Sequence, residues 1–243
     1  MKAFMNWSGG KDSALSIYKA KRQGINIEAL VTTINAVTER ISMHGVRRTL
    51  LEQQAAALQL PLHVVELPEQ PGMMEYERAI HHTNEMLKAK GFTHAVSGDL
   101  FLEDLKSYRE KLYAEDGIEC LFPLWKTGTK ELMQTFIEKG FKAVLVCVNN
   151  SFLDKSFCGR LLDESLLNDL PANVDICGEN GEYHSFVLSK KQSNIGSLQG
   201  NDNHHTTILP CINAKGEFAP PLFIFKGTEK ESKLINCDKK DKE

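Results

Sequence analysis

The order in which short apolar runs and longer amphipathic segments follow one another constrains this chain most. Runs rich in β-branched and aromatic residues, Ala3–Trp7, Glu28–Ile34, Leu62–Leu67, Thr93–Ser97, Cys120–Leu124 and Ala143–Val148, read as strands. Segments of helical period separate them, near Asp12–Gln23, Val46–Leu60, Met73–Lys90, Glu103–Ala114 and Lys130–Lys139. Gly24, Pro61, Gly91 and Gly140 each stand where a helix must stop. Strand and helix in strict alternation predict repeated βαβ units, hence a doubly wound α/β fold with a mostly parallel sheet.

The alternation weakens after Asn149, and "DICGENGEYHSFVLS" predicts a smaller α+β second domain. Boundaries are expected near 117 and 188, giving parts 1–117, 118–188 and 189–243, the last polar, glycine-punctuated, charged at its end and expected to be poorly ordered. A chain of 243 residues with 42% hydrophobic and 25% charged residues supports a real core and excludes disorder throughout. The net charge of −3 gives no electrostatic case for DNA as a partner. The six cysteines include no Cys-x-x-Cys pair. No apolar signal core follows Met1–Trp7, and no run reaches the roughly 18 apolar residues of a membrane span. The expectation is a reduced, soluble, cytoplasmic protein without membrane contact, of open oligomeric state.

Between the first strand and first helix lies Ser8-Gly9-Gly10-Lys11-Asp12-Ser13. Glycines there let main-chain N–H groups converge on an anion at the positive end of a helix. The common phosphate loop is excluded, because Met5 replaces its first glycine and Asp12 follows Lys11. The plain alternative is a glycine turn with Asp12 or Ser13 as a helix cap. The six residues together resemble the SGG-x-DS loop of the ATP pyrophosphatase superfamily, which cleaves ATP between its α and β phosphates. The resemblance implies that Ser8, Gly9, Gly10, Lys11, Asp12 and Ser13 bind ATP and hold the outer phosphates as leaving pyrophosphate. It also implies that Lys11 adds charge and that Asp12 holds Mg2+.

Other clusters have both plain and functional readings. Arg40, Ser42, His44 and Arg47 follow the second strand, where ligands of open α/β sheets bind, although His44 alone reads as a polar helix-start residue. Glu103 and Asp104 read as helix-start acids, whereas Asp99, beside Gly98 at a strand end, is the better candidate for metal or substrate. Trp125 reads as packing. "CGENGEYH" gathers Glu179, Asn180, Glu182 and His184 in a turn that glycine permits, otherwise a solvated hairpin tip.

The series SGGKDS, "HGVRRTLLEQQA", "GDLFLEDLKSYRE", "LFPLW", "GRLLD" and "DICGENGEYHS" over residues 1–188 resembles the diphthine–ammonia ligase-like branch of that superfamily. The resemblance implies a HUP/Rossmann-like nucleotide domain, a smaller domain and a substrate pocket between them. The implied reaction is adenylation of a carboxylate by ATP and displacement of AMP by ammonia; the family name points to a modified histidine on a translation elongation factor as acceptor. Lys11, Asp99, Glu179 and Glu182 become candidate catalytic residues; His44, Arg47, Asn180 and His184 become candidate substrate contacts. The alternatives are ATP-dependent modification of a tRNA base and nucleotide binding without ligation. "NHHTTILPCINAKGEFAPPLFIFKG" resembles a fragment of a DDE-type transposase catalytic domain, a remnant lacking the other carboxylates, so no nuclease activity is expected.

Overall fold

The computed structural model describes residues 1–41, 45–190, 206–209 and 222–225. Five parallel strands form the central sheet in the order β4 (Leu62–Leu67), β2 (Asn26–Asn35), β1 (Lys2–Asn6), β5 (His94–Val96) and β6 (Glu119–Leu121). The two-residue β3 (Arg40–Ile41) folds back antiparallel on the end of β2. From β1 the chain builds outward to β4, then crosses to the other side of β1 to lay down β5 and β6. Strand order therefore reverses between β1 and β5, and the carboxyl edge of an open sheet is concave at such a point.

Central β1 reads as a continuous apolar run because both of its faces are covered: Ala3, Phe4 and Met5 have no exposed surface. Its side chains alternate between two cores. Ala3 and Met5 join Leu30 and Val96 beneath α1 (Lys11–Arg22) and α2 (Arg48–Leu58), whereas Phe4 joins Ala29 and Val31 beneath α3 (Met73–Ala89) and α4 (Glu103–Glu115).

A second, antiparallel sheet of β7 (Phe141–Val148) and β8 (Tyr183–Lys190) packs on the α1 and α2 side with α5 (Thr129–Glu138). Phe136, Leu145 and Phe186 lie in the same core as Ala3 and Met5, so the smaller part has no separate interior. The 3-10 turn Lys155–Phe157 and the short α6 (Glu164–Asp169) connect its strands. The first sheet runs through Leu121, past the boundary expected at Gly117, because β6 hydrogen-bonds to β5. The strand expected over Cys120–Leu124 ends at Leu121, since Pro123 has no N–H for a ladder. Trp125 packs against Phe122 at 6.1 Å between ring centroids, in keeping with a packing role.

Of the transposase-like stretch the structure describes two strands, β9 (Thr206–Leu209) and β10 (Leu222–Phe225), paired antiparallel. The remaining residues beyond Lys190, on which the expectation of poor order falls, lie outside the described residues. Among the described residues no helix is long and apolar enough to cross a membrane.

Candidate functional site

The turn after β1 sits at the reversal point, at the amino end of α1. Gly9 adopts φ +76°, a conformation that side chains rarely tolerate, and a Cβ there would fall 2.7 Å from Gln54 Oε1. Gly10 is the residue before α1 and brings no side-chain cap; a Cβ on it would stand 3.1 Å from the Ser185 carbonyl oxygen of β8. The plain reading of Asp12 or Ser13 as the cap is thus not what forms, since both lie inside the helix. Instead Ser8 Oγ accepts from the Gly10 amide at 3.3 Å and lies 3.2 Å from Ser13 Oγ, which donates to the Gly10 carbonyl at 2.9 Å. The result is a tight ring of small polar groups around the positive end of a helix, where an anion is favoured.

Gln54 of α2 holds this turn in place. Its Oε1 accepts from Trp7 Nε1 at 3.0 Å, and its Nε2 donates to the carbonyls of Gly9 at 3.1 Å and Val187 at 2.8 Å. One side chain thereby ties the first sheet, the loop and the second sheet together. The quoted helix motif contains Gln54, yet an amide amid two glutamines carries no sequence cue that singles it out.

Lys11 is only 3% exposed, and its Nζ lies 2.8 Å from Asp12 and 3.5 Å from Glu179. Burial opposes its charge, but Asp12 above all, then Tyr183, Cys177 and Glu179, outweigh that and hold the ammonium above its ordinary range. Glu179 is pushed up to about 7 by burial, against the pull of Lys11. The closer Asp12 therefore secures the lysine charge, while Glu179 stands near the midpoint of its titration at neutral pH.

The turn carrying Glu179 is built on Glu182. That side chain is fully buried; its oxygens accept from the amides of Asp175 at 2.8 Å and Asn180 at 2.9 Å and from Asn180 Nδ2 at 3.0 Å. Burial raises its pKa, but these donors more than offset the effect and hold it below the usual carboxylate range. Glu182 and Asn180 are thus engaged with each other, a placement that makes Glu182 the frame of the turn. His184 lies half-buried on β8 opposite Cys147, and burial, with help from Lys11, depresses its pKa.

Asp99 follows β5, and the adjoining Gly98 abuts the backbone of Asp12 and Ser13. Its Oδ2 is 3.0 Å from Arg109 Nε of α4, an ion pair in which neither atom finds an aligned hydrogen bond. Burial opposes the Arg109 charge, and Asp99 leads the contacts that nevertheless raise its pKa. Glu103 and Asp104 occupy the first turn of α4, where acids complement the dipole. Arg47 stands exposed at the start of α2, its backbone bridged to Arg40. His44 lies outside the described residues.

Beside the loop a cavity of about 530 Å³ opens over the carboxyl ends of β1 and β2, lined by Trp7, Ser8, Thr32, Tyr76, Tyr108 and Arg109 among others. Its size and mostly apolar lining suit a base and sugar. The Thr32 hydroxyl, on a residue 3% exposed, has no partner there. Sequence reasoning missed Thr32 and Arg109, because nothing in a buried strand or a charged helix shows which side chain meets a cavity. Among the described residues no group of three or more His, Cys, Asp or Glu is placed to hold a metal. Asp12 is the carboxylate of the loop, and its two oxygens lie 2.9 and 2.8 Å from Lys11 Nζ; magnesium commonly binds through one or two carboxylates together with substrate phosphates.

Two family models match the chain, the diphthamide synthase N-terminal domain over residues 1–120 and the diphthamide synthase C-terminal domain over residues 128–192. The diphthine–ammonia ligase of Bos taurus is 26% identical over 203 residues, covering 74% of this chain and 76% of that protein. That of Danio rerio is 27% identical over 206 residues, covering 74% and 79%. A solved structure described as a predicted subunit of tRNA methyltransferase from Methanocaldococcus jannaschii aligns with TM-score 0.46 at 20% identity, over 80% of this chain and 100% of that one.

Proposed function

The chain belongs to the diphthamide synthase family, and from that premise we propose that it is an ATP-dependent, AMP-forming carbon–nitrogen ligase that converts a carboxylate to an amide. The observation that carries the reading is the contact of Lys11 with both Asp12 of the anion loop, at 2.8 Å, and Glu179 of the second turn, at 3.5 Å. It sets a phosphate site and an acid-bearing turn side by side.

Bound to the loop, ATP supplies the adenylyl group that activates the carboxylate, and ammonia then displaces AMP. Ser8, Gly9, Gly10 and Ser13 line the place of the outer phosphates at the amino end of α1, where charge accumulates on departing pyrophosphate. Lys11 adds a fixed positive charge at the border between loop and turn. The cavity floored by β1 and β2 takes the adenosine, with the buried Thr32 hydroxyl and the half-buried Arg109 among its polar groups. Asp12 would hold magnesium, which would supply positive charge beside the phosphates.

Glu179, with a pKa of about 7, accepts a proton from ammonium and so releases the nucleophile at neutral pH. Glu182 positions that acid through its grip on the turn, Asn180 and His184 contact the acceptor from the smaller part, and Arg47 reaches it from the start of α2 in the larger part. The smaller part beyond β6 thus serves the acceptor and the larger part the nucleotide. The relatives from Bos taurus and Danio rerio, both diphthine–ammonia ligases, point to diphthine as the acceptor.

The test is to incubate the protein with ATP, ¹⁵N-ammonium and an elongation factor bearing diphthine. One AMP per ¹⁵N-amide on the acceptor is the expected result. AMP release without amide, or amide without AMP, contradicts the proposal.

A further inference from the structure

We infer that Ser185, on the second sheet, is a ligand of the outer phosphates, so that the anion site is complete only with β8 laid against the loop. This rests on the nucleotide reading above. Ser185 is 5% exposed, and its Oγ accepts the amide of Lys11, the first residue of α1, at 3.2 Å. It therefore supplies the cap that Gly10 cannot, from 174 residues along the chain. Ser8 and Ser13 direct their hydroxyl protons to Ser13 Oγ and to the Gly10 carbonyl. Ser185 Oγ is the acceptor in its bond with the Lys11 amide, so its own proton remains to be given at the amino end of α1.

A buried donor without an acceptor is costly, and an anion at the amino end of α1 relieves it. The geometry is held from both sides. The Val187 amide donates to the Gly9 carbonyl at 2.9 Å, and Gln54 bridges Gly9 and Val187. Close approach of the Ser185 carbonyl to Gly10 leaves 3.1 Å for any added Cβ, so strand and loop are fitted backbone to backbone. Packing of that kind needs no hydroxyl at 185, because alanine fills the same backbone position.

A serine that only caps α1 and one that also grips phosphate differ in ligand selectivity. Titration calorimetry of the full chain with pyrophosphate, ATP and AMP separates them, comparing wild type with Ser185→Ala and Ser185→Thr. Ser185→Ala is expected to weaken pyrophosphate and ATP about tenfold, as loss of one charge-assisted hydrogen bond does, and to leave AMP unchanged. Ser185→Thr, which keeps the hydroxyl, is expected to bind pyrophosphate within about twofold of wild type. Unchanged pyrophosphate affinity in Ser185→Ala, equal weakening of AMP, or failure of Ser185→Thr to restore binding overturns the inference. Wild type that binds neither ATP nor pyrophosphate overturns the nucleotide reading and this inference with it; wild type that binds both beside an unaffected Ser185→Ala overturns this inference alone.

Discussion

Lys11 sits between two carboxylates with different tasks. Asp12 keeps it charged; Glu179 is itself near neutrality, because burial raises its pKa to about 7 from an ordinary 4.5. The folded chain thus holds a proton on Glu179 between those values that the unfolded chain has released. The stabilisation from that proton is complete below about pH 4.5 and is lost as pH climbs through about 7. Glu179→Gln lacks this loss, so its melting temperature relative to wild type is expected to rise between those pH values; a constant difference contradicts the assignment. Glu182 behaves differently. Glu182→Gln replaces one accepting oxygen by an NH2 that faces either the Asp175 or the Asn180 amide and is expected to cost about 1–3 kcal/mol, seen as a drop of several degrees in thermal melting. A melting temperature equal to wild type makes Glu182 free of the turn. The SGGKDS residues stood out in the sequence by their resemblance to a known loop and Glu179 by its place in a glycine-permitted turn, whereas the difference between Glu179 and Glu182 did not. Both are acids in one turn, and only hydrogen-bond partners tell the buried frame from the group facing Lys11.

At the scale of elements, the loop works because three of them meet on it: β1 leads in, α1 leads out, and β8 lies alongside, with Gln54 of α2 bonded to the backbone of both Gly9 and Val187. Gln54→Ala removes the acceptor of Trp7 Nε1 and the donor to two carbonyls. It is expected to destabilise the fold by about 1–3 kcal/mol and to weaken pyrophosphate binding. Melting and calorimetry check it, and wild-type values in both reject the staple role. Periodicity located β4 at its observed limits and placed α1, α3 and α4 within a residue or so, since Gly24, Gly91 and Gly117 stop the three helices. It did not locate β8. Tyr183, Ser185 and Val187 alternate with His184, Phe186 and Leu188, so neither face reads as apolar, and Ser185 belongs to the loop rather than to solvent.

Across the whole molecule, the reversal of strand order between β1 and β5 places the loop, Gly98 and the cavity on one edge, and the shared core fixes the second sheet against that edge. The doubly wound plan was readable from the alternation alone. How the smaller part docks was not, because its contacts run between residues as distant as Lys11 and Ser185, and no local pattern encodes them. The central claim is that the outer phosphates are gripped at the amino end of α1, which directs cleavage to the inner bond. Phosphorus NMR of the protein turning over ATP with ammonium and acceptor tests it most directly: AMP and pyrophosphate in equal amounts are predicted, and ADP with inorganic phosphate would contradict the account.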